Sequence, residues 1–170
     1  EKIGIRIHYD YLVIALGSET NFFGLKNVEK HSFTMKTLAD AISLRNRLID
    51  MLEQAENEKN PKIKERLLTF VIVGGGFAGV ETAGEINDFL HEAVSYYHNT
   101  KKEDIHVILV EAASTILQGF NKRLTEYAHN KLEKNEIKII LENAVTSFDG
   151  KNVILNKLSK PSVGIDSKNI

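Results

Sequence analysis

A glycine-rich turn between two apolar patterns places the strongest constraint on what this chain can fold into. The stretch Phe70 to Ile86 reads FVIVGGGFAGVETAGEI, in which β-branched residues typical of a buried strand give way to glycines and then to a helical pattern. Gly74, Gly76 and Gly79 have the spacing G-x-G-x-x-G between the predicted strand and the predicted helix. This arrangement indicates the first strand, turn and helix of a dinucleotide-binding β-α-β unit.

Each glycine has its own physical role in such a unit. Gly74 permits the tight turn from strand to helix, Gly76 lets the backbone approach a pyrophosphate, and Gly79 lets the helix pack closely. The free N–H groups around Phe77 and Ala78, together with the helix dipole, provide the positive end that phosphates need. No Gly-Lys-Ser/Thr follows, which excludes a Walker phosphate loop. The alternative is a glycine turn that serves packing alone.

A carboxylate follows the next predicted strand. Glu111 closes the run IHVILVEA, at the place where a carboxylate accepts hydrogen bonds from both hydroxyls of an adenine ribose. It would repel a 2′-phosphate, and Ala112, Ala113 and Ser114 offer no arginine to bind one, so NAD is favoured over NADP. The alternative for Glu111 is an ordinary solvated strand end. Glu81, within about a turn of the helix start, either reaches the nicotinamide end or is only a carboxylate placed favourably in the helix dipole.

The rest of the chain alternates between strand and helix patterns. From Leu68 onward, the predicted elements are a strand from Leu68 to Val73, a helix from about Ala78 to His98, a strand from Ile105 to Val110, a helix from Lys122 to Lys134 and a strand from Ile137 to Leu141. This order predicts an α/β, Rossmann-like fold with a central parallel sheet. Strand-like pieces at Val145 to Phe148 and Val153 to Leu155 predict a β-hairpin or meander, and the polar last fifteen residues predict no further element.

Two strand patterns and one helix pattern precede the glycine turn. The run IGIRIHYDYLVIALGS predicts strands from Ile3 to His8 and from Tyr11 to Leu16. Thr37, with Asp40 three residues later, predicts the N-terminal box of a helix. The polar run EQAENEKNPKIKE, which contains Pro61, predicts a linker or a long surface loop.

Composition excludes several classes of function. The chain has no cysteine, which excludes disulfides, thiolate metal sites and a dithiol relay, so any redox chemistry must use a bound cofactor. A net charge of −1 provides no basic field for nucleic acid. The histidines show no metal-ligand spacing, no serine lies in a G-x-S-x-G context, and no residue is predicted to be catalytic. No apolar run approaches the ~20 residues of a membrane span, so a cytoplasmic location is expected.

Three stretches together resemble a known family. YDYLVIALGSETNFFG, FVIVGGGFAGVETAGEI and ILVEAASTILQGFNKRLTEYA are similar to two-dinucleotide-binding-domain flavoproteins of the pyridine nucleotide-disulfide oxidoreductase superfamily, and most similar to type II NADH:quinone dehydrogenases. The resemblance implies an FAD domain that an NADH domain interrupts in sequence. Residues 1–20 would then be the tail of the FAD domain, 21–67 a connecting helix and linker, 68–160 the NADH domain, and 161–170 a truncated tail.

The resemblance also implies specific site residues. It places the pyrophosphate on Gly76, Phe77 and Ala78, the adenine ribose on Glu111 and the nicotinamide near Glu81, with FAD contacts near Ala15 and Gly17. The full predicted NAD(H) set is Gly74, Gly75, Gly76, Phe77, Ala78, Gly79, Glu81, Glu111 and Ala112. Two features depart from the family pattern: Leu16 stands between Ala15 and Gly17 where the family has threonine, and Asn135 and Glu136 replace a glycine before the third strand. The lack of cysteine argues against the thiol-dependent reductases of the superfamily.

The implied activity is that of a parent enzyme rather than of this chain by itself. The parent would transfer a hydride from NADH to FAD and then electrons to a quinone, as a peripheral protein at the cytoplasmic face of a membrane. The chain alone would bind NADH and catalyse nothing, because it has no side chain that accepts a hydride, and its exposed strand edges would favour a homodimer. The alternatives are a soluble flavin reductase with another acceptor, a non-catalytic NAD-binding module and a methyltransferase, the last of which fits Gly79 and Gly84 less well.

Overall fold

The structure is a computed structural model that describes residues 4–157 and 160–166. Its helices are α1 (Lys26–His31), α2 (Leu38–Asn57), α3 (Pro61–Leu67), α4 (Phe77–Ala93) and α5 (Lys122–Lys134). Its strands are β1 (Thr69–Val73), β2 (His106–Val110), β3 (Lys138–Ile140), β4 (Asn143–Phe148), β5 (Asn152–Lys157) and β6 (Lys160–Asp166). Short 3₁₀ turns occur at Val94–Tyr96 and Lys102–Asp104.

Three parallel strands form the centre of the fold. They lie in the order β1-β2-β3, with Val71 opposite Ile108 and Ile108 opposite Lys138. Helix α4 connects β1 to β2, and α5 connects β2 to β3, as parallel pairing requires. The predicted α/β, Rossmann-like fold with a central parallel sheet is therefore confirmed.

The parallel sheet is covered on both faces. Because successive side chains of a strand point to opposite faces, Phe70 and Leu109 pack in one apolar cluster with α2, α4 and α5, while Val71 and Ile108 pack in another with the second sheet. This second sheet is the antiparallel meander β4-β5-β6. Burial on both faces explains why β1 and β2 read as continuous apolar runs rather than alternating ones.

The meander is longer than the sequence predicted. Strand β6 pairs antiparallel with β5 in the polar stretch for which no element was expected, so that expectation was wrong. The physical reason is that a strand is held first by its backbone ladder, which β5 supplies whatever the side chains are.

The helices before β1 are also more extensive than expected. The capping box of α2 is present: the side chain of Thr37 accepts from the N–H of Asp40, and the side chain of Asp40 accepts from the N–H of Thr37. The predicted linker after it is wrong, because α2 continues to Asn57 and Pro61 begins α3. Proline is favourable at the first helical position, where its missing N–H has no helical partner to lose. Helix α4 is shorter than predicted and ends at Ala93.

The two strands predicted at the start of the chain are absent. Residues 4–21 contain no helix or strand, and Ile3 lies outside the described residues. No strand of the described part of the chain pairs with this segment. A strand needs backbone partners, and without them the apolar side chains of Tyr11, Val13 and Leu16 remain exposed. The origin of residues 1–20 as strands of an FAD domain stays a prediction.

Candidate functional site

The glycine turn after β1 has the tight geometry that the sequence predicted. Gly74 has φ +106°, a left-handed conformation that favours glycine, and its N–H donates to the carbonyl of Val110 over 2.8 Å. A Cβ on Gly79 would overlap the carbonyl oxygen of Gly74. The start of α4 therefore rests directly on the turn, and close packing at Gly79 holds the two together.

The first turn of α4 is open to solvent. Gly76 is the N-cap residue and has no side chain to cap the helix, and Gly76, Phe77 and Ala78 are all exposed. A Cβ added to Gly76 would meet no atom within 4 Å. The N–H groups of a first helical turn lack a partner four residues back, and they carry the positive end of the helix dipole. Empty space beside such donors is the setting that binds a pyrophosphate.

Glu111 does more than the sequence predicted. It follows β2 and is half-buried, with one carboxylate oxygen accepting from the N–H of Gly75 and the other from the N–H of Ala113 over 2.7 Å. Gly75 is buried so closely that a Cβ there would lie 2.9 Å from Ile116. Glu111 therefore braces the glycine turn, and each of its oxygens keeps a further lone pair with which to accept from a ribose hydroxyl.

The loop between β2 and α5 folds back over the glycine turn. The N–H of Leu117 donates to the carbonyl of Gly75 over 2.7 Å, and the N–H of Phe120 donates to the carbonyl of Leu117 over 3.2 Å. The ring of Phe120 meets that of Phe77 edge to face, with centroids 4.7 Å apart and planes at 78°. Phe120 is not among the site residues that the sequence predicted, and the glycine before it in ILQGF was the only indication of a tight turn.

A cavity of about 630 Å³ begins at this turn and runs along the edge of β1 that faces away from β2. Its site end is lined by Gly74, Ala78, Glu111 and Ala112, and its other end by apolar side chains that include Phe22 and Leu48. Its volume is within the range typical of ligand pockets. The cavity therefore joins the turn and the strand-end carboxylate in one concave surface.

The structure brings together most of the predicted site residues. The glycine turn from Gly74 to Gly79 lies against Glu111, and Ala112 lies beside it on the cavity wall. Glu81 is exposed on α4 and does not line the cavity, and Ala15 and Gly17 lie in the unpaired segment, also outside the cavity lining. Their roles toward nicotinamide and FAD stay predictions. Among the helices of the described residues, none has the length and apolar character needed to span a bilayer.

Comparison with known proteins gives consistent results. The family model described as pyridine nucleotide-disulphide oxidoreductase matches residues 1–167. The external alternative NADH-ubiquinone oxidoreductase of Yarrowia lipolytica mitochondria is 35% identical over 160 residues, which are 94% of this chain and 27% of that protein. The mitochondrial external alternative NAD(P)H-ubiquinone oxidoreductase B2 of Arabidopsis thaliana is 38% identical over 148 residues, 86% of this chain and 25% of that protein.

A solved structure extends the comparison to the fold. NDH2 from Plasmodium falciparum, determined in complex with NADH, superposes on this chain with a TM-score of 0.85 at 23% sequence identity. The match covers 96% of this chain and 34% of that one. The chain thus spans between about a quarter and a third of the length of the proteins that it matches.

Proposed function

Because this chain belongs to the pyridine nucleotide-disulphide oxidoreductase family, we propose that it is the NADH-binding portion of an FAD-dependent NADH dehydrogenase that reduces a quinone. The membership confirms the family that the sequence motifs indicated. The proposal rests on one observation above all: an open, exposed helix start at Gly76 lies next to a carboxylate, Glu111, at the end of the neighbouring parallel strand. Relatives named as NADH-ubiquinone oxidoreductases support the choice of substrate and acceptor.

Each part of the site has a role in binding NADH. The N–H groups of Phe77 and Ala78, with the dipole of α4, would hold the pyrophosphate, and the missing Cβ of Gly76 gives it room. Glu111 would accept from the adenine ribose while it keeps the turn in place. Glu81, one turn into α4, would lie toward the nicotinamide, and Ala112 would border the adenosine.

We propose that the site prefers NADH to NADPH. A 2′-phosphate next to Glu111 would meet a carboxylate, and the half-buried position makes that repulsion stronger than it would be in bulk water. The Arabidopsis relative is named for NAD(P)H, so a direct comparison of the two nucleotides is part of the test below.

The chemistry that FAD supplies when bound to the whole protein is acceptance of a hydride from NADH and delivery of electrons to a quinone. The role of this chain is to bind and orient NADH, and no acid or base among its side chains is required for that transfer. By itself the chain is expected to bind NADH without oxidising it. Ala15 and Gly17 are the proposed contacts to FAD.

We also propose how the chain divides. Residues 1–20 belong to an FAD domain, 21–67 connect the two domains, and 68–160 form the NADH domain. Strand β6 begins at Lys160 and pairs with β5, which supports extending the proposed NADH domain beyond residue 160 to the end of this strand at Asp166.

The remaining proposals concern location and assembly. A quinone dissolves in lipid, so the whole protein is proposed to be peripheral to a membrane, with this chain at the cytoplasmic face. Both relatives carry mitochondrial names, so fractionation of mitochondria with protease protection would separate a cytoplasm-facing from an enclosed location. The exposed apolar segment, and the edge of β1 with which no strand of the described residues pairs, favour a homodimer of this chain.

Calorimetric titration with NADH and NADPH tests the binding function. Gly76→Ala puts a methyl group into the open phosphate space at an ordinary φ of −74°, so we expect at least about tenfold weaker NADH binding with the fold retained. Gly84→Ala is the matched control, because it adds the same methyl in the same helix where nothing lies within 4 Å, and it should leave NADH affinity unchanged. Equal affinity in both variants, or no saturable NADH binding by the folded chain, would contradict the proposal.

Glu111 needs a different design because it also braces the turn. Glu111→Gln keeps the size of the side chain but replaces one accepting oxygen by a donor that faces an N–H. We expect weaker binding of NADH and a smaller preference over NADPH. Glu111→Arg should weaken binding of both nucleotides rather than convert the site cleanly to NADPH, because the brace is lost. The quinone step is tested in the full-length protein by NADH oxidation with and without added quinone.

A further inference from the structure

Two half-exposed phenylalanines stand together beside the helix start. Phe77 is 55% exposed and Phe120 is 47% exposed, yet their rings meet edge to face at 4.7 Å. Neither ring belongs to the two apolar clusters of the core, and neither lines the cavity. A pair of large apolar side chains held in contact with each other at the surface has no evident role in packing the fold.

The loop that carries Phe120 contains two residues with left-handed backbone conformations. Leu117 has φ +49° and Gly119 has φ +90°, so two residues of one short turn are left-handed, and one of them is a buried leucine. The turn is fixed to the phosphate-binding segment through the hydrogen bond from Leu117 to Gly75. Strained backbone of this kind persists where the surroundings enforce it, and it is common at binding sites. Here its result is to bring Phe120 onto Phe77.

Phe77 connects the aromatic pair to the phosphate site directly. It is the first residue of α4, so its own N–H is one of the first-turn donors, and it follows Gly76 with its open space. An apolar group next to those donors lowers the local dielectric and excludes water that would otherwise compete for them. Interactions between N–H groups and a pyrophosphate are stronger in such surroundings than in open solvent.

We propose that Phe77 and Phe120 form an apolar wall that shields the pyrophosphate of the dinucleotide from water, and that Phe120 is a positioning residue that holds Phe77 in place. This inference rests on the proposed function, because it needs a dinucleotide at Gly76. It deepens that function by assigning to the loop between β2 and α5 a part in phosphate binding that does not involve any charge.

The test measures both affinity and its dependence on salt. Phe120→Ala removes the wall, so NADH and ADP-ribose should bind roughly threefold to tenfold more weakly. Because salt and water then reach the phosphate, the loss of affinity between about 20 mM and about 500 mM salt should be steeper than in the unaltered chain. Phe120→Leu keeps an apolar side chain and should recover most of the affinity and the shallow salt dependence.

The control is Tyr96→Ala, which removes an aromatic ring that is 82% exposed after the far end of α4, roughly 30 Å from Gly76. It should change NADH affinity less than about twofold. A folded Phe120→Ala chain with unchanged affinity and unchanged salt dependence would overturn the inference. So would an affinity loss without any change in salt dependence, because that is what a merely structural role predicts.

Misfolding of Phe120→Ala and failure of the unaltered chain to bind NADH are two further outcomes, and each leads to its own conclusion. If Phe120→Ala does not fold, as circular dichroism would show, Phe77→Ala takes its place, and a steeper salt dependence supports the wall while an unchanged one overturns it. If the unaltered chain binds no NADH, the proposed function fails and the wall fails with it. If the unaltered chain binds NADH and the variants behave like Tyr96→Ala, only the wall is overturned.

Discussion

Two stretches of similar sequence adopt different structures in this molecule: one forms a buried strand and the other forms no regular structure. DYLVIALGS, Asp10 to Ser18, and TFVIVGGGF, Thr69 to Phe77, both run from β-branched and aromatic residues into glycine. The second forms β1, in which Phe70 is 2% exposed. The first has no regular structure, and Val13 in it is 84% exposed. Their β-propensities do not distinguish them, so what differs must lie outside the stretches themselves.

The difference is the presence of partners. Strand β1 pairs along its whole length with β2 and is covered on both faces, whereas the first stretch pairs with no strand of the described residues. Ordering a residue costs about 1–2 kcal/mol of backbone entropy, and burying a large apolar side chain returns about 1.5–3 kcal/mol. Without burial, the ordering cost is not offset. Strand formation is therefore decided by the neighbouring strands and the covering helices.

The largest expected effect comes from the same substitution in both regions. Leu109→Ala empties a fully buried position of β2 and should lower the free energy of unfolding by about 2–5 kcal/mol. Leu16→Ala in the unpaired stretch, where the side chain is 94% exposed, should change it by less than about 0.5 kcal/mol. Urea denaturation followed by circular dichroism measures both. Similar losses for the two variants would mean that the first stretch is packed in solution.

A second pair of variants tests whether close packing at Gly79 holds α4 against the glycine turn that follows β1. In Gly79→Ala, the new Cβ would overlap the carbonyl of Gly74, so α4 must move away from the turn, at a cost of about 1–3 kcal/mol. Gly84→Ala adds a methyl to the same helix in open space and should stabilise it by about 0.5–1 kcal/mol. Thermal unfolding of both variants checks the opposite signs. Stabilisation by Gly79→Ala would show that α4 and the turn are not in close contact.

The third test asks whether the exposed stretch Asp10 to Ser18 is responsible for association of the chain. If it is what drives association of this chain, Ile14→Lys should raise the dissociation constant of the dimer by about tenfold, because one large apolar side chain no longer contributes to the interface. Ile14 is 75% exposed, so the stability of each chain should be unaffected. Sedimentation velocity over a range of concentrations measures the effect. The control is Leu38→Lys, at another exposed apolar residue outside the stretch, and equal weakening by both would argue against a specific role.

Sequence predicted those parts of the fold that are determined locally or by strong pattern. The strand, turn and helix around Gly74 and the helix α5 followed from periodicity and from glycine spacing. Two of the failures share one cause, since each depended on a pairing partner that the stretch itself does not reveal. The strands expected between Ile3 and Leu16 did not form, because no strand of the described residues pairs with that segment. Strand β6 was missed because β5 provides its backbone hydrogen-bond partners, which the polar sequence of β6 does not indicate.

The same distinction, between features visible in the local sequence and contacts that depend on the tertiary structure, applies to the site. Gly76 and Glu111 were predicted because the glycine spacing and the position of a strand end are both visible in one sequence. The hydrogen bond from Gly75 to Glu111 and the contact between Phe77 and Phe120 were not predicted, because they join residues 36 positions apart in the first case and depend on a left-handed turn in the second. Sequence patterns locate the site, whereas the contacts that shape it are tertiary.

The smallest expected effect concerns an element that needs no distant partner. At the start of α2, the side chain of Asp40 accepts from the N–H groups of Lys36 and Thr37, each over 2.9 Å, and these donors lower its pKa below the ordinary value of 3.8. Because the pKa is lower in the folded state, the carboxylate stabilises the fold above the unfolded pKa, and this contribution is lost as the pH falls through the folded value. Acidification below about pH 4 should therefore weaken α2.

Asp40→Asn removes this part of the pH dependence, so the melting temperature of the variant should fall less between about pH 6 and about pH 3 than that of the unaltered chain. The difference is small because the group is solvated and only two N–H donors hold it. Asp88→Asn, which changes an exposed carboxylate in the middle of α4, controls for the loss of one negative charge. If both variants change the acid sensitivity equally, the effect is one of net charge. The start of α2, which forms without a distant partner whereas the unpaired stretch does not, would then not depend on Asp40.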